Sequence, residues 1–107
     1  MSNQTTTPVA TPSVGSTEPV QIINLTEVDP VQYDWGAIKW ICDMNTTPNS
    51  QQSFGYASML PGTTNPEHRH MRCQEVIYVL AGELTVFAHG ERTVVRPGQT
   101  VLIPQGV

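Results

Sequence analysis

Short apolar stretches separated by turn-forming residues run through the chain from Gln21 onward. Pairs such as Pro61-Gly62, His89-Gly90 and Pro97-Gly98 recur at close intervals and break the chain into segments too short for most helices. The segments between them are rich in β-branched and aromatic residues. This pattern predicts an all-β chain with strands over residues 22–25, 36–43, 51–60, 67–71, 75–80, 83–89, 92–95 and 100–103.

Several predicted strands alternate between apolar and polar positions. Ile38, Trp40 and Cys42 fall on one face, and Lys39 falls on the other. Segment 75–80 is apolar on both faces after its first residue, which predicts a central strand. Many short strands in a small chain favour a jelly roll or a small barrel.

A chain of 107 residues has room for one small domain. Residues 1–20 are rich in Thr, Pro and Ser and carry only one charged side chain, Glu18. Such a segment buries too little apolar surface to offset the entropy of ordering its backbone. The sequence therefore predicts a disordered tail over 1–20 and a folded domain over 21–107.

Charge and composition limit the possible partners. The net charge is -4, and the five basic residues are scattered, so nucleic acid is not an expected partner. No apolar run approaches the ~20 residues that cross a bilayer, and the N-terminus lacks the features of a secretion signal, so we expect a cytoplasmic protein with two free thiols. The charged fraction is 13% against ~25% in an average domain. Part of the surface is therefore expected to be covered by another subunit.

Three residues form a candidate metal site. On a strand, His68 and His70 would project from the same face, whereas Glu75 follows at an odd offset and would face away. A turn over residues 71–74 would place Glu75 at the start of the next strand, where it points back at the imidazoles. Two imidazoles and one carboxylate suit a single divalent transition metal, and the set does not distinguish iron, manganese, nickel, copper and zinc.

Each of these residues alone would be explained as an ordinary surface residue. Together they argue for a site, because a carboxylate at the head of an apolar central strand needs a partner when it is buried. His89 lies in a predicted turn and is not expected to be a ligand. The preferred interpretation of Cys73 is an inert side chain, because no basic partner can be inferred for it.

The candidate ligands lie within a pattern that resembles the first motif of the cupins. The pattern is Gly-x5-His-x-His-x4-Glu-x6-Gly, and it is matched by Gly62, His68, His70, Glu75 and Gly82. The resemblance covers roughly residues 51–107. It implies a cupin-type double-stranded β-helix, which is a jelly-roll barrel, with His68, His70 and Glu75 as metal ligands inside it. It also implies a homodimer, because cupins commonly pair through their sheets.

The second cupin motif is matched only at its start, by Gly98, Pro104 and Gly106. Its histidine and asparagine would fall at positions 109 and 113, after the chain ends at Val107. The barrel is therefore expected to lack its last strands. Three explanations compete: a fragment of a longer protein, which we prefer, a truncated chain completed by a partner, and a minimal three-ligand site.

Two functions of different classes remain open. The first is a metal-dependent enzyme that acts on a small polar or carboxylate-bearing molecule, of the oxygenase, isomerase or lyase type. The second is a non-enzymatic module that binds or senses a sugar or another small ligand. The fold alone does not choose between them.

Overall fold

The computed structural model describes residues 15–107. Most of the predicted disordered tail, residues 1–14, lies outside the described residues. Residues 15–20 are exposed and have no regular secondary structure. The described chain divides into two compact units, over residues 15–63 and 64–107.

All the extended secondary structure of the described residues is antiparallel. The seven strands of residues 15–107 are β1 Pro30–Tyr33, β2 Gly36–Cys42, β3 Phe54–Met59, β4 Glu75–Tyr78, β5 Leu84–Ala88, β6 Glu91–Val95 and β7 Thr100–Ile103. The one helical element in this range is a three-residue 3-10 turn, Leu25–Glu27. The predicted all-β class is confirmed. Among residues 15–107 there is no helix with the length and apolar character needed to span a bilayer.

Two predicted strands are wrong. Residues 22–24 have no regular structure and lead into the 3-10 turn, and residues 67–71 form a loop. The structure also contains β1, which the sequence pattern does not predict. Pro30 is tolerated here because it is the first residue of a strand at the edge of its sheet, where a missing N–H donor breaks little of the ladder.

The unit of residues 15–63 contains a three-stranded sheet with the order β1-β2-β3. The register between β2 and β3 shifts between Trp40 and Cys42, which interrupts the regular alternation expected along β2. The buried Trp35 ring stacks on Tyr33, with ring centroids 5.0 Å apart. The carbonyl of Trp35 accepts hydrogen bonds from the Leu60 N–H and from the Thr63 hydroxyl. The turn between β1 and β2 is thus fixed to the end of β3.

The unit of residues 64–107 contains two strand pairs, β4 with β7 and β5 with β6. A two-residue turn joins β5 to β6, and both of its residues have positive φ, 54° at His89 and 75° at Gly90. These angles are those of a type I′ turn, whose twist matches the twist of the hairpin. Val79 and Val95 are the buried apolar residues of this unit.

The β4–β7 pairing sets the position of the candidate site. Its register places Glu75 opposite Ile103. Beyond the strands, the Val79 N–H donates to the carbonyl of Gln99, and the Gly98 N–H donates to the carbonyl of Val79. The chain of hydrogen bonds between the two segments therefore extends past the end of the ladder.

We expect replacement of Gly36 by alanine to destabilise the sheet of residues 15–63. A Cβ at this position would overlap the carbonyl oxygen of Ser58 on β3, which is backbone and cannot rotate away. Relieving such overlap costs roughly 1–3 kcal/mol, which corresponds to a fall in melting temperature of at least about 4 °C. Thermal unfolding followed by circular dichroism measures the change. Gly15→Ala is the control, because a Cβ there meets no atom within 4 Å, and an equal melting temperature for both variants would contradict the assignment.

Candidate metal centre

The two histidines lie on a loop that precedes β4. The expectation that 67–71 forms a strand fails because these residues have no strand partner in the described chain. The segment has no regular secondary structure up to His70, and bends follow at Met71 and Arg72. Strand alternation is therefore not what sets the directions of the two imidazoles. The bends fulfil the predicted change of direction between His70 and Glu75.

The structure brings His68, His70 and Glu75 together. Their candidate ligand atoms, one from each side chain, all lie within 4.8 Å of one another. The two imidazole rings meet edge to face, with centroids 5.1 Å apart and an interplanar angle of 85°. The Nε2 atom of His70 lies 3.6 Å from Oε1 of Glu75. The three side chains thus face a common point although they come from a loop and a strand.

The Pro66 carbonyl orients the His68 ring. The Nδ1 atom of His68 lies 2.9 Å from this oxygen. A carbonyl oxygen only accepts hydrogen bonds, so Nδ1 carries the proton in this contact. In the neutral form of the ring, this tautomer has its lone pair on Nε2. Histidines that ligate metals are commonly oriented by such a bond from the other ring nitrogen. No sequence signal could have revealed this contact, because every residue has a carbonyl.

Glu75 is positioned by the β4–β7 ladder. It is the first residue of β4, and its backbone is paired with Ile103. Its side chain is 36% exposed, and the side chain of His70 is 45% exposed. The carboxylate is therefore neither deeply buried nor turned into bulk solvent. Because His68 and His70 are exposed and Glu75 is half-buried, the three donors are accessible to a small molecule in solvent.

The donor set fits a first-row divalent metal. Imidazole nitrogens and a carboxylate oxygen bind such ions at about 2.0–2.2 Å, so two ligands of one ion lie no more than about 4.4 Å apart. The widest separation in the cluster, 4.8 Å, exceeds that limit by only a few tenths of an ångström. Small side-chain rotations would suffice to close the cluster. The three residues would fill part of a coordination shell and leave the remaining positions to water or a ligand.

The other residues considered from the sequence lie outside this cluster. Within residues 15–107, the three donors are the one group of histidine, cysteine and acidic side chains with this geometry. His89 is exposed at the β5–β6 turn, and Cys73 is an exposed free thiol. Arg96 and Glu83 approach to 3.4 Å, but both are 62% exposed, so this ion pair contributes little.

The site and the strands together define a β-fold protein with a candidate metal centre built from two histidines and a carboxylate. A family model described as "Cupin domain" matches residues 55–107. This match contains all three donors. The chain belongs to the cupin superfamily.

Similar curated proteins come from bacteria and plants. The chain is 29% identical over 84 residues to "Polyketide synthase CurC" of Streptomyces cyaneus, a match that covers 78% of this chain and 54% of the relative. It is 37% identical over 92 residues to "Germin-like protein 3-5" of Oryza sativa subsp. japonica, covering 78% of this chain and 36% of the relative. It is 40% identical over 63 residues to "Oxalate oxidase GF-2.8" of Triticum aestivum, covering 51% of this chain and 28% of the relative.

The chain spans about half the length, or less, of the relatives it matches. No solved structure is significantly similar to it.

We expect His68→Ala and His70→Ala each to weaken binding of a divalent metal by at least about 100-fold. Loss of an orienting partner alone costs 10- to 100-fold, and loss of a ligand removes a bond as well. Metal content after equilibrium dialysis, measured by mass spectrometry, checks this. His89→Asn is the matched control, because it alters the third histidine and keeps a residue that tolerates its positive φ. Unchanged metal content in both alanine variants would refute the assignment.

Proposed function

We propose that this chain is a metal-binding cupin domain that serves a metal-dependent enzyme acting on a small polar or carboxylate-bearing molecule. The observation that carries the proposal is the convergence of His68, His70 and Glu75 within 4.8 Å. Two neutral nitrogens and one charged oxygen form a donor set that suits iron, manganese, nickel, copper or zinc. Enzymes of the oxygenase, isomerase and lyase types all use such centres.

Each residue has a distinct role in the proposed site. His68 presents the lone pair of Nε2, because its Nδ1 donates to the Pro66 carbonyl. His70 presents Nε2 toward the carboxylate. Glu75 supplies the negative charge that offsets part of the charge of a dication. A metal bound there would supply Lewis acidity or, if it is iron, a site for dioxygen chemistry.

A carboxylate is the proposed anchor group of the substrate. One similar protein is named an oxalate oxidase, and oxalate is a small dicarboxylate. Two arginines, Arg69 and Arg72, flank His70 in the chain, and both are exposed. They lie on a loop and not on a strand, so strand alternation does not direct them away from the histidines. We therefore include them as candidate partners of an anionic substrate.

The second candidate function is a binding module without catalysis. The exposure of His70 and Glu75 favours it, because an enzyme site gains from excluding water around the reacting atoms. A solvent-open centre can still capture a sugar or a small acid through a bound metal. Both candidate functions use the same metal site. They differ in whether the bound molecule is converted to a product.

We expect the metal-loaded protein to bind small carboxylates, with oxalate as the first probe, and the metal-free protein to bind them at least about tenfold more weakly. The physical reason is that a bound dication provides the strongest local charge in the site. Titration calorimetry with oxalate, malonate and a neutral sugar measures binding. Oxygen uptake and product analysis then distinguish an enzyme from a binding module.

The control is Glu75→Gln, which keeps the size of the side chain and removes its charge. It should lose metal and, with it, carboxylate binding. If the parent binds metal but neither binds nor converts any of these probes, the proposed substrate class is wrong while the metal site stands.

We also propose that the chain forms a homodimer through the outer face of β4 and β7. Val76 and Leu102 are opposite each other in the register and are 64% and 57% exposed. Two large apolar side chains paired on an exposed face favour contact with a partner surface that is itself apolar. The low charged fraction of the chain, 13%, supports the same conclusion. A second copy of the chain offers the same patch, as a two-fold interface requires.

We expect Val76→Lys combined with Leu102→Lys to convert the dimer to a monomer, because each lysine would place a charge in an apolar interface. Sedimentation velocity measures the change. Thr85→Lys, on an exposed position of β5, is the control and should leave the dimer intact. A parent protein that sediments as a monomer at every concentration would exclude the homodimer.

A further inference from the structure

Two successive residues after β7 donate hydrogen bonds to two successive carbonyls of the histidine loop. The N–H of Gly106 donates to the carbonyl of His70 at 2.8 Å. The side-chain Nε2 of Gln105 donates to the carbonyl of Met71 at 2.7 Å. In the described part of the chain, these are the hydrogen bonds that connect loop residues 67–74 to another segment.

The geometry follows from the strand register. The β4–β7 ladder ends with Glu75 opposite Ile103, so the residues after Ile103 continue alongside the residues before Glu75. There the chain forms a turn, in which the Val107 N–H donates to the carbonyl of Pro104 at 3.2 Å. Gly106 has a φ of +84° in this turn, which a residue with a side chain adopts only at a cost.

The two contacts act on the part of the site that lacks strand support. Glu75 is fixed by a β-ladder. His70 lies on a loop and is followed by a bend, so its backbone position depends on fewer constraints. A hydrogen bond to the His70 carbonyl and another to the next carbonyl fix the peptide that carries the imidazole. A shift of that peptide would move Nε2 away from Glu75.

We propose that residues 104–107 position His70 in the metal centre and that Gln105 is a positioning residue for metal binding. The inference rests on the proposed metal-binding function. Gln105 supplies no ligand atom to the cluster of three donors. Its carboxamide acts through the backbone of Met71, and Gly106 acts through the backbone of His70. The metal affinity of the chain therefore depends on two residues that lie far from the histidines in sequence.

The main test replaces Gln105 with methionine, which has a similar length and no donor. Cobalt(II) is the probe, because its visible absorption reports the geometry of its ligands. We expect Gln105→Met to bind cobalt(II) about three- to tenfold more weakly, the equivalent of one lost hydrogen bond. The visible spectrum of the bound ion should also change, which a purely structural role of Gln105 would not produce.

Gln99→Met is the matched control. In the parent protein, the side-chain Oε1 of Gln99 accepts a hydrogen bond from the Arg96 N–H at 2.8 Å, in the turn that precedes β7. The substitution therefore removes a side-chain to backbone bond of similar length in the same unit. Thermal melting of the metal-free variants measures the general loss of stability. Gln99→Met should lower the melting temperature and keep the parent cobalt(II) affinity and spectrum.

Gly106→Ala provides an independent variant. A Cβ at this position meets no atom within 4 Å, so the substitution acts only through the positive φ. It should distort the turn and weaken cobalt(II) binding, again with a changed spectrum.

The proposal is overturned if Gln105→Met and Gly106→Ala both keep the parent affinity and spectrum. It is also overturned if Gln99→Met loses affinity to the same extent as Gln105→Met, because general instability would then explain both. If the parent chain binds no cobalt(II), the proposed metal function fails together with this inference. Parent binding with unaffected variants leaves the metal function intact and removes only the positioning role.

Discussion

The antiparallel pairing of β4 with β7 is the constraint on which the candidate site depends. It places Glu75 opposite Ile103 and leads the chain past the histidine loop after β7 ends. A slip of one residue in this register would turn Glu75 to the other face of the pair and would displace the turn at 104–107 from the loop. The position of the carboxylate and the support of the histidines are therefore two consequences of one strand pairing.

The site combines a rigid and a less rigid part. Side chains on strands are held more precisely than side chains on loops, and of the three candidate donors only Glu75 is on a strand. Hydrogen bonds to backbone carbonyls hold the loop instead. The Pro66 carbonyl orients the ring of His68, and the carbonyl of His70 accepts a hydrogen bond from the Gly106 N–H. Individually each contact is weak, but together they restrict the directions in which the two imidazoles of the candidate site point.

Membership in the cupin superfamily and the donor set narrow the chemistry without choosing a reaction. Selectivity among divalent metals in such sites arises from geometry, ligand type and metal availability more than from affinity alone. The chain spans only part of the length of its germin-like and oxalate oxidase relatives. The exposure of His70 and Glu75 keeps both an enzyme and a binding module open as functions of the centre described here.

The sequence by itself determined the all-β class, most of the strand positions and the donor set, because these depend on local patterns of β-branched residues, turn residues and ligand spacing. Strand β7 was predicted at its observed bounds, Thr100–Ile103. Only the tertiary structure decided that His68 and His70 lie on a loop, that β1 begins at Pro30, and that the turn after β7 supports His70. These features depend on which segments pair, and pairing is a long-range property. A segment such as 67–71 becomes a strand only where another segment satisfies its backbone hydrogen bonds. The local sequence does not show whether such a partner segment exists.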